Sequence, residues 1–237
     1  MLAQMYQNLI LKNPKAIFIL LIISILSFGY YSKDFRLDAS SETLLIDGDP
    51  DLAYLQKISE RYGSKEFLIL TYTPNEGMVT DSSINNLLSL KYKIQSLNWV
   101  HSVITLLDIP LLNNSDAPLQ ERLESFKTLK DEEVDRERGF AEILNSPVFR
   151  NFVISEDGKT SGIIVNIKQN KKLEDAQNKS REEIENYKDQ IKKQNHQNIL
   201  EIRQVIQSYG DVGKIYLGGI PMIADDMMTF IKSDIIV

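Results

Sequence analysis

Hydrophobic and polar positions change regime several times along this chain, and the first change is the sharpest. Ala16 to Tyr31 (AIFILLIISILSFGYY) runs for sixteen residues without a charge or a polar face. As a helix it is ~24 Å long, slightly short of a hydrocarbon core of about 30 Å. The flanks make up the difference. Asn13 suits a helix cap, and Pro14 suits the first helical position, where its missing N–H costs nothing. Lys12 and Lys15 can snorkel to one interface, while Tyr30, Tyr31 and Lys33 suit the other. Ahead of this segment Leu2, Met5 or Tyr6, Leu9 and Ile10 recur at helical spacing, as in a short amphipathic helix on the cytoplasmic surface. A cleaved signal peptide fits less well, because no small-x-small site precedes Tyr30-Tyr31-Ser32-Lys33-Asp34. A buried core helix would need covering on every side. The pattern predicts a cytoplasmic segment over 1–15, an uncleaved transmembrane helix over 16–32, and an extracytoplasmic body over 33–224.

Beyond a polar linker (Lys33 to Pro50), Leu52, Leu55, Ile58 and Tyr62 share one helical face, and Gly63 ends that helix. Glu66 to Thr73 (EFLILTYT) is rich in strand formers and stops at Pro74. Thr80 or Asp81 then caps a helix to about Leu97, with Ile84, Leu87, Leu88, Ile94 and Leu97 as its stripe. Val100 to Leu107 returns to strand. Asn113 to Arg138 reads as a charged insertion with a solvated helical face. Val148–Ser155 and Ser161–Lys168 flank Asp157-Gly158 as a hairpin predicts. A long helix over about Leu173 to Tyr209 turns Ile184, Tyr187, Ile191, Ile202, Val205 and Ile206 inward; Gln194 to Asn198 (QNHQN) breaks that stripe and predicts a kink or an exposed stretch. Lys214 to Leu217 is a last short strand. The order matches the split β-α-β arrangement, so the fold class expected is α+β: a transmembrane helix followed by a ferredoxin-like extracytoplasmic domain.

Charge and composition narrow the chemistry. The net charge is −6, and the stretch to Tyr31 carries only Lys12 and Lys15 as charged residues. The exterior is therefore acidic, which argues against nucleic acid as a partner. No cysteine is present, so disulfides, thiolate nucleophiles and zinc-thiolate sites are excluded. Two histidines, His101 and His196, are too far apart in sequence to suggest a metal site. Asp47, Asp49 and Asp51 alternate like a calcium loop, but Leu52 stands where Gly is needed and Ile58 where a bidentate Glu is needed. No G-x-S-x-G, H-E-x-x-H or Walker-type loop occurs. Asp225 and Asp226 are adjacent, so on a helix they diverge by about 100°. An enzyme is not expected; no catalytic, metal or cofactor-binding residue is assigned, and no cofactor is implied.

Gly218 to Val237 (GGIPMIADDMMTFIKSDIIV) becomes more apolar toward its end and carries no capping residue. Two readings stay open: a frayed terminal helix, or the start of a helix over 225–237 that leads into a second span from Asp234 onward.

The closing G-x-P-x-I…D segment (Gly219, Pro221, Ile223, Asp234) and the stretch Arg61-Tyr62-Gly63 … Glu66-Phe67-Leu68-Ile69-Leu70, with the order of elements, resemble the first span and first porter loop of the resistance–nodulation–division (RND) superfamily. The nearest branch is similar to the MMPL-type exporters of lipids and hydrophobic compounds. That resemblance implies proton-driven export by alternating access between two repeated halves. It implies a multi-pass protein of the inner (cytoplasmic) membrane with its main domain on the periplasmic or extracellular side. Its partners would be the lipid bilayer, the remaining spans and second porter half, and a hydrophobic or lipid substrate; a homo-oligomer is compatible with it. The family's proton-relay carboxylates lie in a later span, so Asp225, Asp226 and Asp234 are not given that role. A membrane-anchored extracytoplasmic sensor or adaptor domain of a signalling protein is the competing expectation.

Overall fold

A computed structural model describes residues 14–32, 50–51, 54, 57–58, 66–112, 126–168 and 180–236. The chain divides into two units, Met1–Asp38 and Ala39–Val237. The described part of the first is helix α1, Pro14–Ser32, which begins at the proline its sequence favours. Among the described residues it is the one helix long and apolar enough to cross a membrane, and none of its apolar window is buried. Phe18, Leu20, Ile23, Leu26 and Phe28 are exposed on all sides of it. A helix that is apolar all round needs apolar surroundings. The amphipathic start, the Asn13 cap and the linker over 33–49 fall outside the described residues. So do Leu52, Leu55, Tyr62 and Gly63 of the next expected helix, of which Pro50, Asp51, Tyr54, Lys57 and Ile58 are helical.

The second unit is built on four strands: β1 (Phe67–Pro74), β2 (Val100–Ile104), β3 (Ser161–Ile167) and β4 (Gly213–Gly218). They form one sheet in the order β2-β3-β1-β4, with every neighbouring pair antiparallel. Helix α2 (Asp81–Gln95) connects β1 to β2, and helix α4 (Arg181–Gln207) connects β3 to β4. Helix α3 (Arg136–Asn145) lies in the long β2–β3 connection, and α5 (Ile220–Ile236) comes after β4. The architecture is mixed α+β.

Period-two alternation in β1 sends Leu68, Leu70 and Tyr72 to one face, all fully buried. Val103, Ile163 and Val165 extend that face, and Ile84, Leu87, Leu90 and Ile94 of α2 join Ile199, Ile202 and Val205 of α4 in the same cluster. Thr80 caps α2 as expected, its hydroxyl accepting from the Ser83 amide at 3.2 Å. Trp99 ties the start of β2 to α4, donating its indole N–H to Glu201 at 2.9 Å.

Four expectations are corrected. The second strand ends at Ile104, not Leu107, because Thr105 and Asp108 form a capping box around a 3₁₀ turn over Leu106–Asp108. Asp108 accepts from the Thr105 amide at 2.8 Å, a local bond that outcompetes the strand ladder. The expected hairpin does not form: 148–155 contributes turns and isolated bridges, and β3 pairs with β1 and β2. Only its turn survives. Gly158 adopts φ 70, and the Ser155 hydroxyl and Lys159 amide hold the Asp157 carboxyl below its ordinary range. Third, the charged run is helical only from Arg136, after Asp135 caps α3. Ahead of it Thr128 and Asp131 make a turn that buries Leu129 and Val134, so this stretch belongs partly to the core. Residues 113–125 lie outside the described residues. Finally, α4 is one continuous helix through QNHQN, starting at a Ser180–Glu183 capping box; 173–179 lie outside the described residues.

Tyr72 is the one large polar side chain with no exposure in the sheet face. Its hydroxyl lies near Ser83 and Asn86 but makes no hydrogen bond with either. Burial pushes its pKa above the usual 10.0, so the folded state favours the neutral phenol. That contribution is complete below pH ~10 and is lost as pH rises through the folded value. Tyr72→Phe should leave neutral-pH stability within about 1 kcal/mol of wild type, or raise it, because a polar group without a partner leaves the core. It should also reduce the loss of stability above pH ~10 in denaturant titrations. A large loss at neutral pH would reveal a bond to that hydroxyl.

Candidate functional site

The strand β4 leads into α5 through one sharp turn. Gly219 sits at φ +120, a conformation glycine adopts without strain, and a Cβ there would stand 3.0 Å from the Phe67 carbonyl oxygen. Pro221 comes next but one, buried in the first turn of α5. The spacing Gly219-x-Pro221 thus sets the direction in which α5 leaves the sheet. Ile223 points outward and Asp234 is exposed near the end of the helix.

Three polar contacts fasten the first two turns of α5 to α4. Asn195 donates its side-chain amide to the Pro221 carbonyl at 2.9 Å. His196 Nδ1 lies 2.9 and 3.1 Å from the two carboxylate oxygens of Asp225. Arg203 reaches both oxygens of Asp226 at 2.8 Å through one nitrogen. The adjacent aspartates therefore serve different partners, as their angular separation on a helix requires. Asp225 is only 8% exposed, whereas the His196 side chain is 46% exposed. Asn198 is buried near the same seam and accepts from Gln194 at 2.9 Å.

No sequence motif marks Asn195, His196 or Arg203. The only signal for them is the polar break QNHQN in the apolar stripe of α4. A kink is the wrong inference from that break, because a polar patch on a straight helix equally serves a polar helix–helix contact. His101, by contrast, is an exposed residue of β2.

The sheet face away from the cluster offers a second surface. Ile104, Ile164 and Ile69 stand in one cross-strand row, with Phe67 beside Asn166 in the next. Phe67 and Ile69 keep 46% and 41% of their surface exposed, and Tyr216 of β4 lies opposite Thr71 on the same face. Asn166 and Ser102 bond at 2.9 Å at its border. The surface suits apolar or aromatic contact and carries no nucleophile with a base. Among the described residues no group of three or more His, Cys, Asp or Glu could hold a metal ion. Arg61, Tyr62 and Gly63 lie outside the described residues.

No protein-family model matches the chain, and no curated protein matches it in sequence.

Proposed function

We propose that this chain is the N-terminal part of an RND-type membrane transporter of the MMPL branch, a proton-driven exporter of lipids or hydrophobic compounds. In this reading α1 is the first span, anchored in the inner membrane, and the sheet domain is an extracytoplasmic porter domain of ferredoxin-like fold. One observation carries the reading: an unburied apolar helix precedes a four-stranded antiparallel sheet in the order β2-β3-β1-β4, with α2 and α4 as its crossovers. The strand order is the one expected of a split β-α-β unit. The apolar outer sheet face (Phe67, Ile69, Ile104, Tyr216) is then the surface offered to a hydrophobic substrate path or to the second porter half. Helix α5 continues toward a second span. Coupling carboxylates are supplied by later spans.

The decisive experiment is to sequence the transcript beyond Val237. Further apolar spans, one with ionisable residues, and a second copy of the strand–helix order support export. An immediate stop codon overturns it, and kinase- or cyclase-like sequence after one further span replaces it with the sensor reading. Topology has its own test. The chain has no cysteine, so Lys159→Cys in the exposed turn gives a single thiol. A membrane-impermeant maleimide should label it in intact cells or spheroplasts to the same extent as after lysis. Labelling only after lysis would place the domain in the cytoplasm.

A further inference from the structure

The seam between α4 and α5 joins two helices by polar contacts at Asn195, His196 and Arg203. The geometry points to a proton-responsive latch: His196 on α4 and Asp225 on α5 hold the C-terminal helix against the long helix more firmly when the imidazole is protonated. The buried partner makes the arrangement asymmetric. Asp225 is nearly enclosed, and among the described residues no other hydrogen-bond donor reaches its carboxylate. The Thr229 hydroxyl donates to the Asp225 backbone carbonyl, not to the side chain. A buried carboxylate with one donor is served better by an imidazolium than by a neutral ring, because a paired charge offsets desolvation that a dipole offsets only in part. The imidazole is the group that changes charge between pH 5 and 8.

Neighbouring charges do not duplicate that role. On α4, Arg203 is engaged with Asp226 and Glu201 with Trp99, while Lys192 and Lys193 stand one turn before His196. On α5 the remaining charges are Lys232 and Asp234, about two turns past Asp225. Helix α2 meets α4 near Tyr209, whose hydroxyl bonds Ser89 at 2.8 Å, more than three turns from His196; Lys91 of α2 is paired with Asp108. On β4, Lys214 and Tyr216 occupy the register of Thr73 and Thr71, on the sheet's outer face.

The consequence for transport rests on the export reading, in which α5 continues toward a second span. Acid on the extracytoplasmic side would then hold the domain to that span, and neutral pH would release it. The latch itself is independent of that reading, so the two fail separately.

The test uses the full chain in bilayer nanodiscs. Gln204→Cys on α4 and Ser233→Cys on α5, both exposed, give the only two thiols for spin labels. Distances measured by pulsed EPR should show one docked population at pH 5.5. At pH 8 the docked-to-open ratio should fall roughly 2- to 5-fold, the range for a half-exposed ion pair. His196→Gln should keep a neutral donor and abolish the pH dependence. Arg203→Gln should lower the docked fraction at every pH while keeping the slope. A pH-independent wild type overturns the latch, and so does an unchanged slope in His196→Gln. The wild-type profile alone is sufficient if either variant fails to fold. Neither negative result touches the transcript test of export.

Discussion

Gly213→Ala is expected to destabilise the sheet domain by about 3 kcal/mol, the upper part of the usual range for overpacking a filled core. A Cβ at this position would lie 2.6 Å from the Thr73 carbonyl oxygen, 2.9 Å from Cε2 of Tyr72 and 3.0 Å from Cα of Pro74. Two of these three atoms are backbone of β1, to which Gly213 is paired opposite Pro74. They cannot retreat without parting β4 from β1. The third belongs to the ring of Tyr72, which is itself fully buried. Every route of relief therefore costs either ladder hydrogen bonds or core packing. For a domain of this size the loss corresponds to roughly 6–12 °C in melting temperature. The single tryptophan, Trp99, is buried and reports on the transition by fluorescence. Gly210→Ala is the control. A Cβ there meets only the Gln207 carbonyl oxygen at 3.5 Å, so stability should stay near wild type. An unchanged melting temperature for Gly213→Ala would mean that β4 is not registered with Pro74 opposite Gly213.

Much of this domain is legible from periodicity because its elements are decided locally. The strand β1 alternates cleanly, and α2 carries both its stripe and its Thr80 cap in sequence. Sequence pattern misleads where a few side-chain bonds decide between two acceptable backbones. Thr105 and Asp108 turn VITLL out of the ladder at Ile104 through bonds three residues apart, a signal smaller than the run of strand formers around it. The charged stretch before Arg136 reads as solvated because its acids and bases dominate, yet Leu129 is fully buried. Asp157-Gly158 is a turn in sequence and in structure, but a turn does not specify which strand the next residues join, and β3 finds both its partners elsewhere.

The α4–α5 seam shows a different limit. Its polar contacts join positions more than twenty residues apart, and pairing of that kind leaves no mark in local pattern. Gly219 and Pro221 stand out in the sequence, and the structure supplies the reason: a left-handed turn and then a helix start fix the course of α5. Along α5 runs an exposed apolar stripe, Ile220, Ile223, Met227 and Phe230, on the side away from His196. The polar side of the helix thus meets the domain, and its apolar side is left for another apolar environment. That division is consistent with an element that passes from a folded exterior toward lipid.

Placing arginine at the middle of α1 tests the other end of that path. Leu20→Arg or Ile23→Arg should reduce membrane integration by about 2.5–3.5 kcal/mol, near 100-fold or more in the insertion equilibrium. Both residues lie well inside Pro14–Ser32, more than one turn from either end, and both are exposed. From there a side chain reaches an interface only by thinning the bilayer or shifting the helix. Shifting has little room, because the uncharged stretch is already shorter than the core it must cross. Lys15→Arg should change nothing, since that position already holds a charge near a predicted interface. Carbonate extraction of membranes from cells expressing each variant reads the outcome, with Leu20→Ile as the conservative control. Loss of carbonate-resistant material for the two central arginines alone supports a span. Equal retention of all variants would mean that α1 does not cross the hydrocarbon core. The mass of the recovered wild-type protein separates the remaining choice: a product beginning at or near Met1 is anchored by α1, whereas a product lacking roughly the first thirty residues has lost it to a signal peptidase.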